Sequence, residues 1–314
     1  MDNFLVAVRG IIPLYFFIGI GLFVKFKKLM TYEEVSHFNK MLFRIFYFIM
    51  LFYNTYRTDM QANFRPHLML YGFSAVLIMF AATFALVCFF DKSNRRRSTL
   101  IQGIFRSNFI FMGIPLLVNI FGDKELGVTT MMIAIIVPTF NVLGVLTMEV
   151  LRSDGQHAKP LQVLKNILTN PMVAGAICGG LCLALGIKIP APILKPLGQM
   201  AGATSMLVLI VLGASFHLSS TKQHMPQLIS CIVARLIICP GLILGLAYHL
   251  GFHGAELMTL VAIFASPCGT ATFTLAQQMG GDPDLAGNEI VFSTAFSALT
   301  ICTWIALFKS LNVL

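Results

Sequence analysis

Long apolar segments, two of them interrupted at mid-length by proline, restrict this chain to folds that live in a lipid bilayer. The first interruption is Ser107-Asn108-Phe109-Ile110-Phe111-Met112-Gly113-Ile114-Pro115, and the second is Ala265-Ser266-Pro267-Cys268-Gly269-Thr270-Ala271-Thr272. Pro115 and Pro267 stand 152 residues apart, close to half of the 314-residue chain. Matched broken segments in two halves of a hydrophobic chain point to a binding site at the bilayer midplane.

Composition supports the membrane assignment. Apolar residues make up 57% and charged residues 11%, where soluble domains carry roughly 25% charged residues. Mean hydropathy is +0.82. Ten spans of roughly 20 residues, the length that crosses a bilayer core, are predicted at 5–24, 38–56, 68–90, 99–121, 127–150, 167–187, 193–218, 228–250, 255–279 and 285–308. The segments are continuously apolar rather than alternating, which argues against a barrel. No small-residue cleavage site follows the first span, so a cleavable signal peptide is not expected. The net charge of +9 does not indicate nucleic acid, because Lys and Arg concentrate in the loops on one side. That asymmetry predicts a multi-pass cell-membrane protein with both termini outside. Arg95-Arg96-Arg97 reads as a topology anchor beside anionic lipid. The seven cysteines lie inside spans without C-x-x-C spacing, which disfavours disulfides and metal.

Five spans fall in residues 1–151 and five in 167–314, joined by an inner linker at 152–166. An odd number per half inverts the second half, so the predicted fold is all-α and polytopic, with two inverted five-helix repeats. Each half opens with a proline, Pro13 or Pro171. Gly175-x-x-x-Gly179, Gly198-x-x-x-Gly202 and Gly241-x-x-x-Gly245 read as helix-packing faces.

At each break proline removes a backbone donor, and irregular backbone survives in the membrane only beside protein or a water-filled cavity. The half-helices that restart there are expected to aim free amides, around 114–117 and 268–271, at one hollow. Two such starts make an anion site without any cationic side chain. Candidate substrate contacts are Asn108, Gly113 and Pro115 at the first break, Ser266, Pro267, Cys268, Gly269, Thr270 and Thr272 at the second, and Asn141 in span 5. Neither break carries Asp or Glu, which favours an anionic or neutral solute and leaves sodium coupling open. Charged residues within spans are functional candidates. Arg106 is placed between attracting a carboxylate and snorkelling, Arg235 is expected to snorkel to the inner face, and Glu289 is the candidate for proton coupling. No H-E-x-x-H, phosphate-binding glycine loop or G-x-S-x-G is present, so an enzyme is not expected.

The stretch from Ser107 to Pro115 resembles the auxin efflux carrier family, whose fourth span carries an N-x-x-x-M/I/L-G-x-P pattern matched by Asn108, Met112, Gly113 and Pro115. Pro267 and Gly269 match the P-x-G segment of its ninth span. Further similarity lies at Phe38-Asn39-Lys40, Asn170-Pro171 and Asp282-Pro283-Asp284-Leu285. The bacterial members are described as malonate or dicarboxylate permeases. The resemblance implies that spans 4 and 9 cross at their breaks. It implies a dimerising scaffold of spans 1, 2, 6 and 7, and an elevator domain of spans 3–5 and 8–10. It makes Asn108 the crossover asparagine that touches substrate. Phe48 and Ser205 stand where family members often have proline, a departure within the scaffold. The resulting expectation is a secondary transporter for a small organic anion, with no cofactor beyond a coupling H+ or Na+. A passive anion channel and a membrane sensor or scaffold without flux are the alternatives.

Overall fold

The computed structural model describes residues 2–58, 65–110, 117, 126–151 and 160–314. Among these the chain is helical and contains no strand element. Helix α1 is Asp2–Phe26. Helix α2, Tyr32–Met41, runs through a π-helical turn at Leu42–Phe46 into α3, Tyr47–Tyr56. Then come α4 (Pro66–Phe90), α5 (Asn94–Phe105), α6 (Leu126–Val150), α7 (Pro160–Thr169), α8 (Pro171–Ala184), α9 (Ala191–Ser215) and α10 (Leu218–Gln223). Helix α11, Met225–Val233, passes through a second π-helical turn at Ala234–Ile238 into α12, Cys239–His249. The chain closes with α13 (Gly254–Ala265), α14 (Ala271–Met279) and α15 (Pro283–Ser310).

Among the described residues five helices are long and apolar enough to cross a membrane: Pro66–Phe90, Gly127–Val150, Ala191–Ser215, Met225–His249 and Pro283–Ser310. The pair α7 and α8, bent by 66° at Asn170, makes a sixth if counted as one span. The predicted fourth and ninth spans are divided at their breaks, whereas the second runs on through its π-helical turn.

Local chemistry sets the helix starts. Thr31 and Glu34 form a reciprocal capping box at α2. Asn170 accepts from the Met172 amide at 3.0 Å, and Asp282 from the Leu285 amide at 3.1 Å. Each is followed by proline at the first helical position, where a missing N–H costs nothing. Pro171 therefore opens a helix, whereas Pro13 sits inside one; the two prolines are not structurally equivalent.

Small residues bring helix backbones together. A β-carbon on Gly175 or Gly179 would stand 2.3 or 2.4 Å from the carbonyl oxygens of Phe48 and Phe52, so α8 and α3 touch backbone to backbone. Gly21 and Gly213 do the same for α1 and α9, at 2.1 Å from the Ile210 oxygen and 2.2 Å from the Ile18 oxygen. The packing expectation holds at Gly175 and Gly179 but not at Gly202 or Gly245, which have no neighbour there within 4 Å.

The arginine cluster expected beside lipid also makes bonds within the protein. Arg96 pairs with Asp91 at 2.9 Å, Arg97 donates to the Cys88 carbonyl at 2.8 Å, and Arg95 to the Gly281 carbonyl at 2.9 Å. These bonds fasten the α4–α5 turn to itself and to the start of α15. Asn39, fully buried, donates to Gln277 and accepts from the Thr274 hydroxyl at 3.1 Å, tying α2 to α14.

Candidate functional site

Two unwound segments cross at the centre of the site. Helix α5 stops at Phe105, and Arg106 turns extended at φ −89°, ψ 121°. Helix α13 stops at Ala265, and Ser266 is extended at φ −67°, ψ 153°, as expected for a residue before proline. The strands of chain that follow meet antiparallel at Ser107 and Cys268. The Asn108 amide donates to the Pro267 carbonyl at 2.9 Å, and the Gly269 amide to the Arg106 carbonyl at 3.0 Å. This reciprocal pair satisfies backbone groups that unwinding had freed, which a buried crossing requires.

Helix resumes at Phe109 on one side and at Ala271 on the other. The first break therefore begins at Arg106, nine residues ahead of Pro115, and helix is present again at Phe109 and Ile110; of the amides expected at 114–117, those of 114–116 lie outside the described residues. Gly113 and Pro115 themselves lie outside the described residues. Asn108 and Thr270 hold the two positions just before the restarting helices, where Asn is among the favoured residues.

A cavity of about 300 Å³ opens on these helix starts. The breaks contribute Arg106–Ile110 and Gly269–Ala271, α6 contributes Val137, Phe140 and Asn141, α3 contributes Tyr47, Leu51 and Asn54, and α9 contributes Gly198, Ala201, Gly202 and Ser205. Arg106 is buried, with 6% of its surface exposed. One guanidinium nitrogen, Nη2, donates to Asn141 Oδ1. The other, Nη1, makes no hydrogen bond among the described residues, and neither do the Tyr47 hydroxyl and Asn141 Nδ2. No carboxylate lies within 4 Å of Arg106 among the described residues. The hollow thus has a cationic side chain at its wall in addition to the helix starts, and Arg106 does not snorkel. The dipole contribution is narrower than expected. The Cys268 amide is taken by Ser293 Oγ at 3.0 Å, and those of Gly269 and Thr272 by backbone carbonyls.

The other candidates divide by facing. Asn108, Gly269, Thr270, Asn141 and Arg106 line the cavity. Ser266, Pro267, Cys268 and Thr272 do not. The Ser266 hydroxyl donates to the Ala262 carbonyl, and Cys268 Sγ lies 3.6 Å from Thr272 Oγ1. Arg235 does not snorkel. It is fully buried and gives its donors to four backbone carbonyls: Ser266 at 2.8 Å, Ile263 at 2.9 Å, Ile104 at 3.1 Å and Phe105 at 3.4 Å. Burial costs less here because every oxygen it meets is a hydrogen-bond acceptor. Glu289 is also fully buried, away from the cavity, and neither carboxyl oxygen makes a hydrogen bond among the described residues.

Sequence reasoning missed the wall supplied by α3 and α9. Asn54, a polar side chain in an apolar span, and the small series Gly198, Gly202 and Ser205 were the available signals.

The sequence profile of the family described as "Membrane transport protein" matches residues 6–305. The chain belongs to this family, which is the auxin efflux carrier family of the resemblance above. Its members are membrane transporters, and the several long apolar helices accord with a multi-pass chain. Two relatives are known only as uncharacterized transporters. One, from Methanocaldococcus jannaschii, is 24% identical over 218 residues, covering 68% of this chain and 70% of its own. The other, from Methanothermobacter thermautotrophicus, is 22% identical over 316 residues, covering 96% and 98%.

Proposed function

We propose that this transporter carries a small organic anion, a carboxylate, and that the anion binds in the cavity against the Arg106 guanidinium and the helix starts at Asn108 and Thr270. The observation that carries the reading is a buried guanidinium in the cavity wall, with no carboxylate within 4 Å and with Nη1 lacking a hydrogen-bond partner among the described residues. A buried donor left unmatched costs about 1–3 kcal/mol, and a bound carboxylate supplies the acceptor. A planar guanidinium matches a carboxylate better than an ammonium does. The cavity of about 300 Å³ sits at the small end of ligand pockets, which suits a small carboxylate.

The proposed architecture is ten spans in two inverted repeats, and the antiparallel crossing, with its local two-fold relation, supports it. Helices α1, α3, α8 and α9, joined through glycine contacts, form the proposed scaffold and dimer-forming unit. The crossing segments and their neighbours move against it as an elevator in the cell membrane. Glu289 is the proposed carrier of any coupled proton.

The experiment is uptake of labelled malonate, other dicarboxylates, monocarboxylates and indole-3-acetate into proteoliposomes. At least one carboxylate should accumulate saturably. Losing a hydrogen bond to a charged group weakens binding by roughly 1.5–3 kcal/mol, about 10- to 150-fold, and Asn108→Ala and Thr270→Ala should each show it. Wild-type behaviour in both would remove these residues from the site. Ionic currents far above transporter turnover would replace the carrier with a pore.

A further inference from the structure

Arg235 stands first among the large, fully buried side chains of the described residues, yet it does not reach the cavity. It lies in the π-helical turn Ala234–Ile238. Its four acceptors are carbonyls at the C-terminal ends of two half-helices, Ile104 and Phe105 of α5, and Ile263 and Ser266 at the end of α13. No carboxylate lies within 4 Å of the guanidinium among the described residues. Its charge is balanced instead by these oxygens and by two helix C-termini, each worth roughly half a negative charge. The crossing is therefore polarised. Its helix starts face the solute cavity, and its helix ends close around one cation.

Unwound carbonyls and half-helix C-terminal ends are where secondary transporters hold a coupling sodium ion. Here a side chain already fills such a cage, and a second cation would meet its repulsion with the oxygens already engaged. We propose that Arg235 is a tethered cation in the place of a coupling sodium ion, so that solute moves independently of sodium. The statement about solute rests on the transport reading above; the statement about the cage does not.

The test compares unfolding temperatures of the purified protein in NaCl, KCl and choline chloride at equal ionic strength. Wild type and Arg235→Lys, which retains the charge, are expected to show no sodium-specific shift. Arg235→Ala empties the cage and is expected to be restabilised by NaCl, saturably, because a ligand that binds only the native state raises its stability. A sodium-specific rise in wild type or Arg235→Lys overturns the proposal, and so does a folded Arg235→Ala that ignores sodium. The first two proteins decide the question even where the third does not fold. Carboxylate uptake by wild type is expected to match in sodium and choline buffers, and a sodium requirement would also overturn it. If no carboxylate enters in any salt, the transport reading fails while the melting comparison still decides the cage.

Discussion

Arg106 and Arg235 are both buried at the crossing, and their guanidinium groups are treated in opposite ways. Arg235 spends its donors on four carbonyls that two broken helices leave behind. Arg106 gives one nitrogen to Asn141 and keeps Nη1 without a partner among the described residues. A satisfied buried charge holds a structure together. Under the proposed function, the unsatisfied one is met by the solute. On that reading one arginine holds the crossing together and the other binds its cargo.

Substitutions can break that contrast. Arg235→Ala should show the largest effect, a stability loss of about 3 kcal/mol or more, read as a lower unfolding temperature. Arg106→Ala should leave the unfolding temperature nearly unchanged and weaken carboxylate uptake by about 10- to 150-fold, the worth of a charged hydrogen bond. Equal losses of stability in the two proteins would erase the distinction. Asn141→Ala should weaken uptake about tenfold or less, since it only frees Nη2 and lets Arg106 wander. Ser266→Ala should change uptake the least, by less than about threefold, because the Ser266 carbonyl, not its side chain, holds Arg235. A loss at Ser266 matching that at Thr270 would show that both faces of the second break meet solute.

The crossing was partly legible in the sequence. Proline at 267 forces the residue before it out of helix, and the break occurs there. At the first break the visible sequence signal, Pro115, lies nine residues beyond Arg106, where α5 has already ended. Which residues face the cavity could not be read, because an unwound segment has no helical period to assign faces. Thus nothing in the sequence separates Thr270, which lines the cavity, from Ser266 and Thr272, which do not. The position of Arg235, two turns into a span, allows either snorkelling or burial. Only the arrival of carbonyls from residues 104, 105, 263 and 266 decides for burial. The α3 and α9 wall was hidden for a similar reason. Glycine and serine on an apolar helix look alike whether they touch a neighbouring backbone, as Gly175 does, or open a hollow, as Gly202 does.

The most direct measurement is the thermal shift that carboxylates produce in wild type and in Arg106→Ala, scanned over a substrate panel. At least one small carboxylate should raise the unfolding temperature of wild type in a saturable way, and the same compound should leave a folded Arg106→Ala unmoved. Equal shifts in both proteins, or none in wild type with any carboxylate, would contradict the account.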